Sequence, residues 1–560
     1  MKLTPLALSL SLLLSCGATS AAPAPKPGKP SAQAFLWENA TVYFLLTDRF
    51  NNADKSNDLS YERKADAGPL RGFMGGDIAG ITAKIKEGYF DSLGVTAIWL
   101  TPPVEQIHAG TDEGTGKTYG FHGYWARDFS SVDANFGTEK EMKEFVDTAH
   151  AHGIRVLLDV VMNHTGPVTM EDPAWPADWV RTEPVCSYKD AQTTISCTLV
   201  KNLPDLRTDS NTAVELPPAL AAKWKAEGRY QREMKELDDF FARTGYPRAP
   251  RYYLMKWHAD WVRKYGVDGF RVDTVKHVEA SVWGELHQVA SAAYEDWKRD
   301  HPKQKLGDQP FYMTAEVYNY KVEDGLWHDL GGGDKVNYFA QGFDSMINFG
   351  LVWDAQKDYE SLFSRYSALL QGELKGHSTL NYLDSHDYDR PFDAARVKPF
   401  ESANKLLLAP GAAQIYYGDE TARRLDVADA QGDAKLRSFM NWDELAHNAA
   451  RDGYKVADVR AHWAKLGLFR KAHVAVGAGV HQQLQARPYI FKRSYDAQGI
   501  HDKVVVALDL PTDAATAIDV HGVFANGQKV KDYYSGKYAV VEQGKVTFAA
   551  RNAVVLIGQD

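Results

Sequence analysis

Between residue 41 and about residue 420, short apolar runs that read as buried strands alternate with longer stretches of helical periodicity, and few folds accommodate that rhythm. Val42 to Leu46, Ala97 to Leu100, Val156 to Val161, Gly269 to Val272, Phe311 to Ala315, a weaker run near Phe343 to Ile347, Leu380 to Leu383 and Gln414 to Tyr417 make eight strand candidates. Parallel strands joined by crossover helices are buried on both faces, and eight of them close into a (β/α)8 TIM barrel. The helices between are legible too. Thr138 and Glu141 form a capping box, Met142, Phe145, Val146 and Ala149 make one apolar face, and Gly153 ends the element before the third strand. Leu254, Trp257, Trp261 and Tyr265 repeat the pattern, with Gly266 as terminator.

Two stretches depart from this rhythm. Residues 166–250 are too long for a strand-to-helix connection and open with a stretch rich in Pro, Asp and Thr that holds Cys186 and Cys197. They predict an inserted subdomain after the third strand, splitting the barrel into 41–165 and 251–455. From 456 to 560 the segments PYIFKRSY, KVVVALDL and NAVVLIG, separated by turn residues, predict a C-terminal antiparallel β-sandwich domain.

Residues 1–22 read as an export signal, with Lys2, an apolar stretch from Leu6 to Leu14 and small residues through Ala22. Two processing routes are open. Leu13-Leu14-Ser15-Cys16 resembles a lipobox, which would leave a lipid anchor on Cys16, while Ser20-Ala21-Ala22 offers an ordinary cut. The Pro-rich linker at 23–40 suits either. The product is expected to be periplasmic, secreted or membrane-anchored. In such an oxidising compartment Cys186 and Cys197, eleven residues apart, are expected to form a disulfide. No later apolar run is long enough to span a bilayer. With 64 basic and 73 acidic side chains and no basic run, a nucleic-acid partner is not expected. A monomer is.

Three carboxylates, Asp273, Glu316 and Asp387, stand at the ends of strand-like runs, where a parallel barrel displays its catalytic groups. Arg271, two residues before Asp273, faces the same side of its strand and would keep that carboxylate ionised. Glu316 follows Thr314 and Ala315 on an apolar strand, where desolvation would raise its pKa. The arrangement suggests glycosidic chemistry.

DVVMNH at 159–164, LPDL at 203–206, GFRVDTVKH at 269–277, AEVY at 315–318 and YLDSHD at 382–387 occur in that order, and by them the chain resembles the α-amylases of glycoside hydrolase family 13. The resemblance covers nearly everything after the leader. It implies Asp273 as nucleophile, Glu316 as general acid/base and Asp387 as stabiliser of the transition state. It implies His122, Tyr124, His164 and His386 as contacts to the sugar at the cleavage point, beside Arg271. Lys276 and His277 match residues that meet the leaving-group side in enzymes cutting α-1,4 bonds, a pair usually lacking in relatives that act on α-1,6 bonds.

The same resemblance implies a structural Ca²⁺ held by Asn163, Asp205 and the His277 carbonyl. A second site, resembling the N-terminal calcium loop of cyclodextrin glucanotransferases, would use Asn52, Asp54, Asn57, Asp58, Gly75 and Asp77; a polar loop without metal is the alternative. Ser385 stands where the family commonly has Asn, so no chloride requirement is expected. The implied function is endo-hydrolysis of α-1,4 bonds in an α-glucan. A transglycosylase or cyclodextrin-active enzyme is the alternative, although such enzymes usually carry two further C-terminal domains and an aromatic near Arg207, Thr208 and Asp209. A non-catalytic glucan-binding barrel is a remote one, since such proteins typically lose a carboxylate.

Overall fold

The computed structural model describes residues 35–387, 390–549 and 551–559; the export signal, Cys16 and the linker as far as residue 34 lie outside them. Eight parallel strands are present, β1 (Thr41–Leu45), β2 (Ala97–Leu100), β3 (Arg155–Val160), β4 (Gly269–Val272), β5 (Tyr312–Ala315), β6 (Ser345–Asn348), β7 (Ser378–Asn381) and β8 (Ala412–Tyr416). They pair in the order β1-β8-β7-β6-β5-β4-β3-β2 and close into a barrel. Every residue of every one is buried, because helices cover the outside and side chains fill the inside. In β4 the alternation sends Phe270 outward, edge-on to Phe311 at 4.8 Å, and Arg271 inward.

The helix Glu139–Ala151 starts on the Thr138/Glu141 capping box. The helix Pro250–Tyr265 stops at Gly266, whose φ of 78° is left-handed and whose missing side chain makes room for the Trp297 ring. Among the described residues one crossover lacks an α-helix. Between β5 and β6 the chain forms the short turns Val322–Asp324 and Phe339–Gln341 around a small hairpin of His328–Asp329 with Lys335–Val336.

The inserted subdomain carries the Cys186–Cys197 disulfide and the helices Pro218–Ala226 and Tyr230–Thr244. It is fastened to the barrel side through buried Asp128, which accepts from Lys223 Nζ at 2.9 Å and Trp224 Nε1 at 3.2 Å.

The expected boundary at 456 gives way. Val456–Ala472 is a helix that follows β8, with Val459, Trp463, Leu466 and Phe469 buried in the barrel's core and Trp463 Nε1 donating to Pro399 O. The helical spacing of those apolar residues is a weaker signal than the β pattern that follows. Antiparallel strands begin only at Val480. Six of them form one sheet, and Ala517–Asp519 pairs with Lys545–Thr547 in a second. Ile490, Val505, Ile518, Val530, Val546 and Ile557 pack in their shared core. Buried Arg493 joins this sheet to the barrel by donating to the carbonyls of Leu408 and Val476, while buried Arg470, on the helix Val456–Ala472, donates within the barrel to those of Asn39, Leu407 and Ala409.

Candidate active site

Pairing register places Arg271 of β4 directly opposite Asp159 of β3. Its Nη1 donates to Asp159 Oδ1 at 2.9 Å and to Asp273 Oδ1 at 2.8 Å, so one guanidinium serves two buried carboxylates. Asp159 Oδ2 also accepts from Trp99 Nε1 at 3.0 Å and from the Tyr124 hydroxyl at 2.7 Å. Burial still pushes the Asp159 carboxyl up to about 7, against the pull of Arg271.

Glu316 follows β5, on the next strand over. Thr274 takes a left-handed φ of 48° immediately after Asp273, and this bend points its N–H at Glu316 Oε2, 2.7 Å away. Glu316 is only 8% exposed. Burial pushes its carboxyl up to about 7; Arg271 opposes the shift and Asp273 adds to it. The protonated-acid state expected from the apolar strand is therefore the state its surroundings favour.

Asp387 is treated oppositely. Burial would raise its carboxyl, but His386 and Arg437 outweigh that and hold it well below the usual carboxylate range. Arg437 Nη2 donates to Asp387 Oδ1 at 2.7 Å, and His386 Nε2 lies 3.0 Å from Oδ2. Asp387 keeps 43% of its side chain exposed, open to the cleft. Ser385, the departure from the family pattern, has a local role: its Oγ accepts the Asp387 N–H at 3.2 Å and fixes the turn that presents the carboxylate.

Around these carboxylates the structure gathers the rings expected from sequence. The Tyr124 ring stacks on His386 at 5.3 Å and on His122 at 5.8 Å, while His164 Nε2 lies 3.1 Å from the Tyr124 carbonyl. Burial lowers the pKa of His122 and His164, favouring a neutral ring that can both donate and accept; at His386 burial lowers it too, but the neighbouring Asp387 carboxylate pulls the other way. The Lys276 ammonium stands 5.3 Å from the Tyr318 ring and 5.7 Å from the Tyr188 ring. His277 Nδ1 lies 2.8 Å from the Thr194 carbonyl, and burial lowers its pKa to about 4.

Asn163, Asp205 and His277 also converge. One terminal atom of the Asn163 amide lies 3.1 Å from both His277 O and Asp205 Oδ1; as oxygen it faces two other oxygens, and as nitrogen it would donate to both. Asp205 is buried, and burial pushes its carboxyl up to about 9 despite Arg181 at 3.3 Å. In the N-terminal loop, Asn52 Oδ1 and Asn57 Oδ1 are buried without a hydrogen-bond partner, and Asn52 Nδ2 donates to Asp58 Oδ1 at 2.8 Å. This loop presses on Gly75, where a Cβ would fall 2.3 Å from Asn52 Nδ2. Two carboxylates of the expected set are engaged elsewhere. Asp77 accepts the N–H groups of Ala53 and Asp54 and caps the helix Ile78–Lys86 through Gly80, and half-buried Asp54 accepts from Ser56. Among the described residues no group of three or more His, Cys, Asp or Glu has metal-holding geometry, so either site would combine carboxylate with amide or carbonyl oxygens.

Sequence reasoning missed Asp159, Arg437, Tyr188 and Tyr318 as parts of this site. Asp159 and Tyr318 lie inside quoted motifs and were open to notice. Arg437 is fifty residues beyond Asp387, with Asp433 at 2.6 Å, and carries no local signal.

A family model described as "Alpha amylase, catalytic domain" matches residues 44–465. The periplasmic alpha-amylase of Escherichia coli (strain K12) is 36% identical over 531 residues, 84% of this chain and 72% of that one. A cyclomaltodextrin glucanotransferase of Thermoanaerobacterium thermosulfurigenes is 26% identical over 569 residues, 97% of this chain and 70% of its own length. Among solved structures, an Anoxybacillus alpha-amylase superposes with a TM-score of 0.63 at 22% identity, covering 94% of this chain and 99% of that one. A cyclomaltodextrin glucanotransferase with a three-domain distribution does so with a TM-score of 0.63 at 20% identity, covering 93% and 99%.

Proposed function

Because this chain belongs to the alpha-amylase family and is a glycoside hydrolase, we propose that it cuts internal α-1,4-glucosidic bonds of starch, glycogen or maltodextrins with retention of configuration. Asp273 attacks the anomeric carbon while Glu316 gives its proton to the departing glycosidic oxygen; Glu316, now a carboxylate, then takes a proton from the water that cleaves the glycosyl ester. Ionised Asp387 faces the positive charge that develops on the sugar ring. Arg271 holds Asp273 in place, and His122, Tyr124, His164 and His386 surround the sugar at the cleavage point. Lys276 and His277 meet the leaving half, which favours the α-1,4 linkage. One observation carries this reading: Arg271 sits on Asp273, whereas burial dominates at Glu316, separating the roles of the two carboxyls.

We further propose that Asn163, Asp205 and the His277 carbonyl hold Ca²⁺, for which hard oxygen ligands are suited. The oxygen-on-oxygen placement of the Asn163 amide supports this. Asn163 follows β3, His277 follows β4 and Asp205 belongs to the inserted subdomain, so a cation here would clamp the three together. The orphaned Asn52 and Asn57 oxygens, with Asp58, support a second cation in the N-terminal loop. Chelation is expected to lower the melting temperature and added Ca²⁺ to restore it; with Ca²⁺ at about a hundred times its Kd the difference is about 2.7 kcal/mol. A melting curve indifferent to both treatments would remove the metal from this account.

Export is part of the same proposal, supported by the similarity to a periplasmic enzyme and by the disulfide. Among the described residues no helix is long and apolar enough to cross a membrane. A second reading, glucan transfer, is favoured by the similarity to cyclomaltodextrin glucanotransferases, one of which shares a three-domain layout, so domain count does not separate the two. A product time course from soluble starch decides. Linear maltooligosaccharides, released first as α-anomers, are expected; a dominant cyclic product would overturn the hydrolase reading.

A further inference from the structure

We propose that the disulfide-closed loop from Cys186 to Cys197 is a positioning and specificity element of the cleft: it orients His277 and, through Tyr188, walls the path of the departing half of the glucan. The inference rests on the α-1,4-glucan reading above and adds to it an element that none of the five motifs contains.

The loop is a built object. Thr193 Oγ1 accepts from the Lys189 and Asp190 N–H groups at 3.0 and 3.1 Å, Cys186 N donates to Thr198 O at 2.9 Å, and a short helix, Gln192–Ile195, fills the space inside the disulfide. From that helix the Thr194 carbonyl meets His277 Nδ1 at 2.8 Å. A carbonyl only accepts, so Nδ1 carries a proton in this contact and the ring's orientation is set from the inserted subdomain. The barrel supplies the residue and the loop aims it.

Tyr188 is the part of the loop that faces outward. It is 49% exposed, stands edge-on to His277 at 5.8 Å and lies 5.7 Å from the Lys276 ammonium, which is also 5.3 Å from the half-exposed Tyr318 ring. Its φ of 57° is left-handed, a conformation disfavoured for a residue with a Cβ, so its surroundings hold it there.

The hairpin that stands in for a helix between β5 and β6 props the loop from behind. Ala191 N donates to Asp334 Oδ2 at 3.2 Å, Thr194 Oγ1 reaches Leu330 O at 3.5 Å, and Gly331 passes so close that a Cβ would lie 2.8 Å from Lys189 O. The crossover that lacks a helix thus packs against the disulfide-closed loop whose Thr194 carbonyl meets His277.

The test compares long and short substrates. Kinetics of Cys186→Ser/Cys197→Ser and of Tyr188→Ala would be measured on amylose and on a nitrophenyl α-maltotrioside, whose aryl leaving group is too short to run along the loop. For both variants kcat/KM on amylose is expected to fall about tenfold, mainly through KM, with the aryl substrate changed less than about twofold. Equal losses on both substrates, or none on either, would overturn the proposal. Tyr188→Ala alters an exposed side chain and carries the test if the double cysteine variant melts early. A wild-type enzyme inert on both substrates would overturn the underlying glucan reading, and this inference with it.

Discussion

Glu316→Gln is expected to lower kcat by at least about a hundredfold while maltodextrin affinity, measured by calorimetry, stays within a few-fold of wild type. The amide keeps the shape of the side chain and can still face Thr274 N, but it has no proton to give. The pH profile adds a second readout. Burial raises the Glu316 pKa to about 7, so the acid is loaded below that pH and lost as pH rises through it. Wild-type kcat/KM should therefore decline on an alkaline limb near neutrality, and the residual activity of the variant should lack that limb. A variant with near-normal turnover, or one that keeps the limb, would refute the acid assignment.

Arg271→Leu should be the most destabilising single change in the site. Its guanidinium is the shared partner of Asp159 and Asp273, with Nη1 within 2.9 Å of an oxygen of each, and all three side chains are buried. Removing one member of a buried ionic cluster typically costs about 3–5 kcal/mol, because the remaining charges stay desolvated without compensation. Denaturant unfolding would read the loss directly. Arg271→Lys retains a charge but lacks the fork that reaches two carboxylates, and should recover only part of the stability. An Arg271→Leu enzyme that unfolds at the wild-type denaturant concentration would show that the cluster is not what holds the barrel mouth together.

The parts of this molecule legible in the sequence are those whose information is local. Each barrel strand is a short apolar run, so all eight fall within two residues of their structural bounds at each end. Caps such as Thr138 and stops such as Gly266 are local too. The three carboxylates could be placed because strand ends are where a barrel exposes polar groups. What was hidden is long-range or graded. That Asp159 shares Arg271 depends on the register of two strands, and the Asp387–Arg437 contact spans fifty residues. The helix at Val456–Ala472 was masked by the stronger period-two signal after it. Asp54 and Asp77 match a metal loop by residue type and also accept hydrogen bonds from Ser56 and Gly80, a local use that type alone does not reveal.

The arginines at the seam of barrel and sheet set an order in time. Arg470 bonds the carbonyl of Asn39, just ahead of β1, and those of Leu407 and Ala409, just ahead of β8, so it ties the first and last staves together. Arg493 then bonds Leu408 between them. The knot that fastens this closure comes from a residue made 431 positions after Asn39, so a growing chain lacks it until all eight strands have been made. A truncation before Arg470 would remove this tie and leave the first and last staves joined by their strand pairing.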